Sequence, residues 1–75
     1  MNEPLQNHPA QFNGWNDYST HLAALECAPD WRRVEVSAPT NTIGLEEIWF
    51  EHLPDNQVWV LIEPDPPYAG TWKVR

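Results

Sequence analysis

Several groups of residues in this chain have types that could do chemistry. Asp65-Pro66-Pro67-Tyr68 sets a carboxylate close to an aromatic ring at the end of an apolar run, Val58-Trp59-Val60-Leu61-Ile62. Asp17, Ser19 and His21 are the three residue types of a hydrolase triad. They fall two apart on a segment that reads as helix, where i and i+2 do not face each other, so one helix cannot assemble the relay. His8, His21, His52 and Cys27 are potential metal ligands, but their spacings match no zinc pattern, which needs clustered pairs. No metal and no cofactor is expected. Glu46, Glu47 and Glu51 could serve as acid and base only inside a cleft that separates their pKa values. They read instead as a solvated strand face, and the expectation is a protein that is not an enzyme.

The strand followed by Asp-Pro-Pro-Tyr resembles the catalytic loop of the amino-methyltransferases that act on adenine in DNA. The resemblance implies that Asp65 receives the target amino group and that Tyr68 stacks on the flipped base. It also implies a large doubly wound domain for S-adenosylmethionine, with a Gly-rich turn. This chain has Gly14, Gly44 and Gly70, far apart, and no Gly-x-Gly. The motif spans four residues of 75. A Pro-rich turn between strands accounts for the same letters, since each Pro fixes its backbone angle and removes a donor. Pro64 to Pro67 also spells Pro-x-x-Pro, a weak pattern for aromatic-lined grooves.

The elements that must position these residues form one small domain. At 75 residues the core is marginal, and the single Cys27 allows no internal disulfide. No basic and apolar leader is visible at the N-terminus, and no apolar run approaches the roughly 20 residues of a membrane span. The expectation is a soluble, cytoplasmic protein. Five Trp residues argue for a folded chain. The formal net charge is −7, and no Lys or Arg lies between Val34 and Trp72. Phosphate backbones repel such a surface, so direct nucleic-acid binding is not expected. A basic protein partner is the natural complement, with solubility as the plainer use of the charge.

Residues 1–12 carry Pro4 and Pro9 and read as an extended or mobile arm whose end Phe12 pins. Residues 13–75 make the domain. Its helix begins near Asn13 or Asn16 as cap, carries Trp15, Tyr18, Leu22 and Leu25 on one face, and stops before Pro29. Trp31 to Pro39 alternates as a strand, and Gly70 to Arg75 ends the chain as a short one. Between them lies a β-hairpin, Leu45–Leu53 and Gln57–Glu63. The expected fold class is therefore α+β: one N-terminal helix packed on an antiparallel sheet of three to four strands.

A three-residue loop, Pro54-Asp55-Asn56, would set Leu53 opposite Gln57, Phe50 opposite Val60 and Ile48 opposite Ile62, making one face almost wholly apolar. The other face would carry Trp49 beside Leu61, Glu51 beside Trp59 and Glu47 beside Glu63. If the helix covers the first face, Trp49, Trp59 and Leu61 stay outside, ringed by Glu47, Glu51, Glu63 and, just beyond, Asp65. Exposed apolar patches mark interaction sites and Trp is enriched at binding hot spots; a mixed surface or a second core is the competing account. The expected function is thus a small acidic protein-binding module, monomeric or homodimeric. In its specific form it is an inhibitor that blocks a basic, nucleic-acid-binding surface of its partner. Small acidic phage proteins, including anti-CRISPR inhibitors, are similar in size and charge. The alternative is a structural subunit, or an immunity or antitoxin-type partner, in a stable complex.

Overall fold

A computed structural model describes residues 5–75. A short 3-10 turn at Leu5–Asn7 precedes helix α1, Trp15–Cys27, and four strands follow: β1 Trp31–Val34, β2 Glu47–His52, β3 Gln57–Ile62 and β4 Thr71–Val74. The strands form one antiparallel sheet in the order β1-β2-β3-β4, with the helix N-terminal to it and packed on one face. This is the α+β arrangement that the helical and alternating patterns imply.

The helix differs from expectation at its start. Gly14, at φ 91, is the N-cap, and no side chain caps the helix. Asp17 works in the reverse direction: its Oδ2 accepts the Asn13 amide hydrogen at 3.1 Å from within the first turn. Trp15 lies half exposed, while His21 joins Tyr18 and Leu25 in the buried stripe and Leu22 is partly buried. At the far end Ala28 is extended, as the residue before a proline must be, and the helix stops where Pro29 requires.

The hairpin register also differs. His52 pairs with Gln57, Phe50 with Trp59, Trp49 with Val60 and Glu47 with Ile62. Leu53 belongs to the loop, making it four residues long. Asn56 takes the left-handed conformation at φ 60, and the Asp55 carboxylate closes the turn by accepting from the Gln57 amide at 3.1 Å. Side chains alternate along a strand, so this one-residue slip moves every residue of β3 to the opposite face.

The physical reason is that both faces of the sheet are buried. Beneath the helix lie Trp31, Ile48, Phe50, Leu61 and Trp72, with Phe12, Tyr18 and Leu25 closing over them and Trp59 packed alongside. The indoles of Trp59 and Trp72 stack at 5.0 Å, and Trp31 meets Trp72 at 5.4 Å. On the reverse face Trp49, Val60 and Ile62 form a second core, covered by Val34, Val36, Leu45, Val58 and Tyr68. A strand apolar at every position, as β3 is from Val58 to Ile62, carries no polar face to choose its register. The observed register sets Trp59 and Leu61 under the helix with Ile48 and Phe50, and Val60 and Ile62 on the reverse face with Trp49.

The segment expected to be an arm is packed from residue 5 onward. Phe12 is buried, as expected, and its amide donates to the Ala69 carbonyl at 3.1 Å. The Trp72 amide donates to the Ala10 carbonyl at 2.9 Å, so residues 10–12 line the outer edge of β4. Gly70 makes this approach possible. At φ +84 a Cβ there would sit 2.9 Å from both the Ile62 carbonyl oxygen and the Phe12 ring. Residues 1–4 lie outside the described residues.

Candidate functional site

The residues expected to form one partner-binding face are dispersed. Trp59 and Leu61 point under the helix, and Leu61 is fully buried. Trp49 is 3% exposed and lies in the core on the reverse face. Glu47 is also buried. Glu51 stays on the reverse face and pairs with Arg32 at 2.5 Å across β1 and β2. Glu63 is half-buried at the end of β3, and Asp65 is exposed in the following turn. The register slip and the second core remove the exposed aromatic patch. What remains outside from that set is carboxylate.

Glu47 has an architectural setting. Its carboxylate accepts from the Thr40 amide at 2.9 Å, the Asn41 amide at 3.1 Å, the Asn41 Nδ2 at 2.6 Å and the Trp49 indole Nε1 at 2.7 Å. Asn41 is held in turn by its reciprocal bonds with Leu45. One charged group therefore gathers the loop that roofs the reverse core. Burial alone would raise its pKa, but the hydrogen bonds from Trp49, Thr40 and Asn41 outweigh that and lower it from 4.5 to about 2.

The Asp65–Tyr68 motif is a turn. Asp65 and Tyr68 exchange backbone hydrogen bonds at 2.9 and 2.8 Å around a cis Pro66–Pro67 peptide. Tyr68 packs on the reverse core and its hydroxyl bonds Thr71. Its ring is engaged in the fold rather than presented as a stacking platform.

The other candidate groups do not converge either. Ser19 is exposed and His21, two residues on, is buried on the opposite side of the helix, while Asp17 approaches His8 at 3.6 Å. His8 stacks on His21 at 4.3 Å, His52 Nδ1 meets Asp55 at 3.0 Å, and Cys27 is exposed. Among the described residues no three His, Cys, Asp or Glu side chains are placed to hold a metal ion, and no helix is long and apolar enough to cross a membrane.

A different grouping emerges at the N-terminal end of the helix. Glu46 and Glu63 flank the β2–β3 ladder, joined by a hydrogen bond from the Glu63 amide to the Glu46 carbonyl at 3.4 Å. Both carboxylates act on Tyr18, whose pKa is raised by burial first and then by Glu63 and Glu46, with Arg33 opposing. Trp15, 50% exposed, meets the Tyr18 ring edge-on at 5.3 Å. Trp15 thus exposes its indole beside a buried tyrosine. Sequence reasoning placed Trp15 in the core and so missed it. The clue was its position next to Gly14, before the helix has completed the turn that would aim it inward.

A shallow cleft of about 960 Å³ opens at the other end of the helix, where Leu5 and Gln6 face Cys27, Trp31, His52 and Pro54. Comparison with family models, with curated proteins and with solved structures finds no match for this chain.

Proposed function

We propose that this chain is a non-enzymatic protein-binding module that presents carboxylates to a basic surface of a partner protein, where it would occupy the place of nucleic-acid phosphates. The observation that carries this reading is the state of its acidic side chains. Glu26, Asp30, Glu35, Glu46 and Asp65 are exposed, and none of them pairs with a basic group among the described residues. Among the Lys and Arg of the described residues only Arg32 pairs with a carboxylate. Arg75 lies over the Trp49 ring at 5.0 Å. With a net charge of −7, the molecule projects a field that favours encounter with a basic face. Glu46 and Glu63, neighbours across the β2–β3 end, are the part best suited to meet an Arg or Lys side chain.

The test is capture of partners from host lysate at low and high salt, with Glu46→Lys/Glu63→Lys alongside the wild type. A nucleic-acid-binding protein retained at low salt, lost at high salt, displaced by duplex DNA and not retained by the charge-reversed variant would support the reading. An association rate that does not change with salt would refute it. A partner held equally at all salt concentrations would indicate a stable subunit instead.

A further inference from the structure

Residues 5–10 hold to the domain through Leu5, which packs against the main core, through bonds to Trp72 and His52, and through the His8 ring. The Trp72 indole Nε1 donates to the Leu5 carbonyl at 3.0 Å, and the Trp72 amide to the Ala10 carbonyl at 2.9 Å. Gln6 Nε2 meets His52 Nε2 at 3.0 Å. The side-chain contact with the helix is His8, stacked on His21 at 4.3 Å with the rings inclined by 27°. His21 is 3% exposed. The Nε2 atoms of both rings are buried and neither has a hydrogen-bond partner. A charged His21 would lack a partner for its buried Nε2–H and would face the His8 ring, whereas His8 Nε2 has Asp17 Oδ2 at 3.6 Å.

The charged and titratable groups around His21 come from two elements. The segment supplies His8, and the helix supplies Asp17, which favours protonation but less than burial and His8 oppose it. From β4 the neighbour is the uncharged Trp72 ring, at 4.6 Å. The uncharged Phe12 ring also lies against both histidines, 5.4 Å from His8 and 5.6 Å from His21, and Phe12 is held besides by its bond to Ala69.

We propose that residues 5–10 are an acid-released strap: protonation at the His8–His21 stack parts the strap from the helix, uncovers the Trp72 indole and removes Leu5 and Gln6 from the wall of the cleft beside Trp31, while Phe12 stays anchored. The strap thereby controls access to that cleft. Release is favoured because a solvated His21 takes up its proton near 6.5 and the stacked one only near 4. The ratio of released to strapped molecules then rises about 20-fold between about pH 7 and about pH 5.

Hydrogen exchange on the full chain, corrected for the intrinsic effect of pH on exchange, tests this. The Trp72 amide, bonded to the strap, should lose protection about 20-fold over that range. It should exchange faster than the Phe12 amide and the amides of the β2–β3 hairpin. His21→Phe keeps an aromatic ring and removes the titration, so its Trp72 protection should not change with pH. If Trp72, Phe12 and the hairpin exchange at one common rate at each pH, opening is global and no strap exists. Unchanged pH dependence in the variant would equally overturn the proposal. Should that variant not fold, NMR titration of the native His21 ring decides, since a ring that titrates at its ordinary value in the folded chain contradicts the mechanism.

Discussion

Replacing Glu47 by Gln removes the charge that gathers the loop over the reverse core while keeping the side chain's size. Glu47 is 8% exposed, and its pKa falls from 4.5 to about 2 on folding. A shift of that size corresponds to roughly 3 kcal/mol of stability at neutral pH. Because the folded pKa is depressed, this contribution is complete above the unfolded value of 4.5 and is lost as pH falls towards about 2. Near pH 3 less than half of it should remain. The assay is urea denaturation of both proteins from about pH 7 down to about pH 3. The wild type should lead by roughly 3 kcal/mol at the top of that range, and the gap should narrow steadily once pH drops below 4.5. Differencing the two proteins cancels contributions from every other titrating group. A domain of this length has a total stability of order 4–11 kcal/mol, so the loss would be large enough to measure and for a marginal fold could be decisive. A gap that stays constant across the whole pH range would refute the claim that the ionised carboxylate orders the loop. In that case the substitution acts through packing alone.

Other outcomes follow from the same structure. Trp49→Ala should cost about 3–5 kcal/mol, measured by denaturation, because it empties the reverse core and leaves Glu47 without its indole donor. Trp49→Phe should cost less and should raise the Glu47 pKa, visible as an upward shift of the acid transition. Gly70→Ala should destabilise by at least about 2 kcal/mol, since a left-handed backbone and contacts of 2.9 Å leave no room for a methyl group; an unchanged melting temperature would contradict the close packing of Phe12. Native stability should also fall between pH 6.5 and about 4 through His21, whose depressed pKa lets the unfolded chain bind its proton first, and His21→Phe should flatten that part of the profile.

The elements themselves were legible from local signals: Pro29 ends the helix, Asn56 turns the hairpin, and the alternation of Trp31 to Pro39 marks a strand, although only Trp31–Val34 pairs as one. The register was not legible, because hydrophobic pattern selects a register only when the two faces differ. From Ile48 to Phe50 and from Val58 to Ile62 they do not, since both faces are buried in cores built by residues distant in sequence. The candidate patch inherited that error, since it required Trp49, Trp59 and Leu61 to share a face. The burial of Glu47 had no local sign either. Its donors Thr40 and Asn41 sit in a loop whose path depends on the reverse core it covers. The acidic balance, by contrast, needs no topology, and it survives every change of register.

That difference decides how binding should be sought. Four of the five Trp residues, Trp31, Trp49, Trp59 and Trp72, pack in or against the two cores, so truncating any of them would appear first as instability. Loss of binding in such variants would not locate an interface. Trp15 is the exception, exposed with its ring edge-on to Tyr18. A Trp15→Ala change removes no core packing of that kind, and surface substitutions of this sort usually alter stability by less than about 0.5 kcal/mol. If Trp15→Ala and Glu46→Lys each weaken capture of the same basic partner while leaving denaturation unchanged, the helix N-terminal end is the contact surface. If only the charge reversal matters, the partner reads the field of the molecule and not this patch.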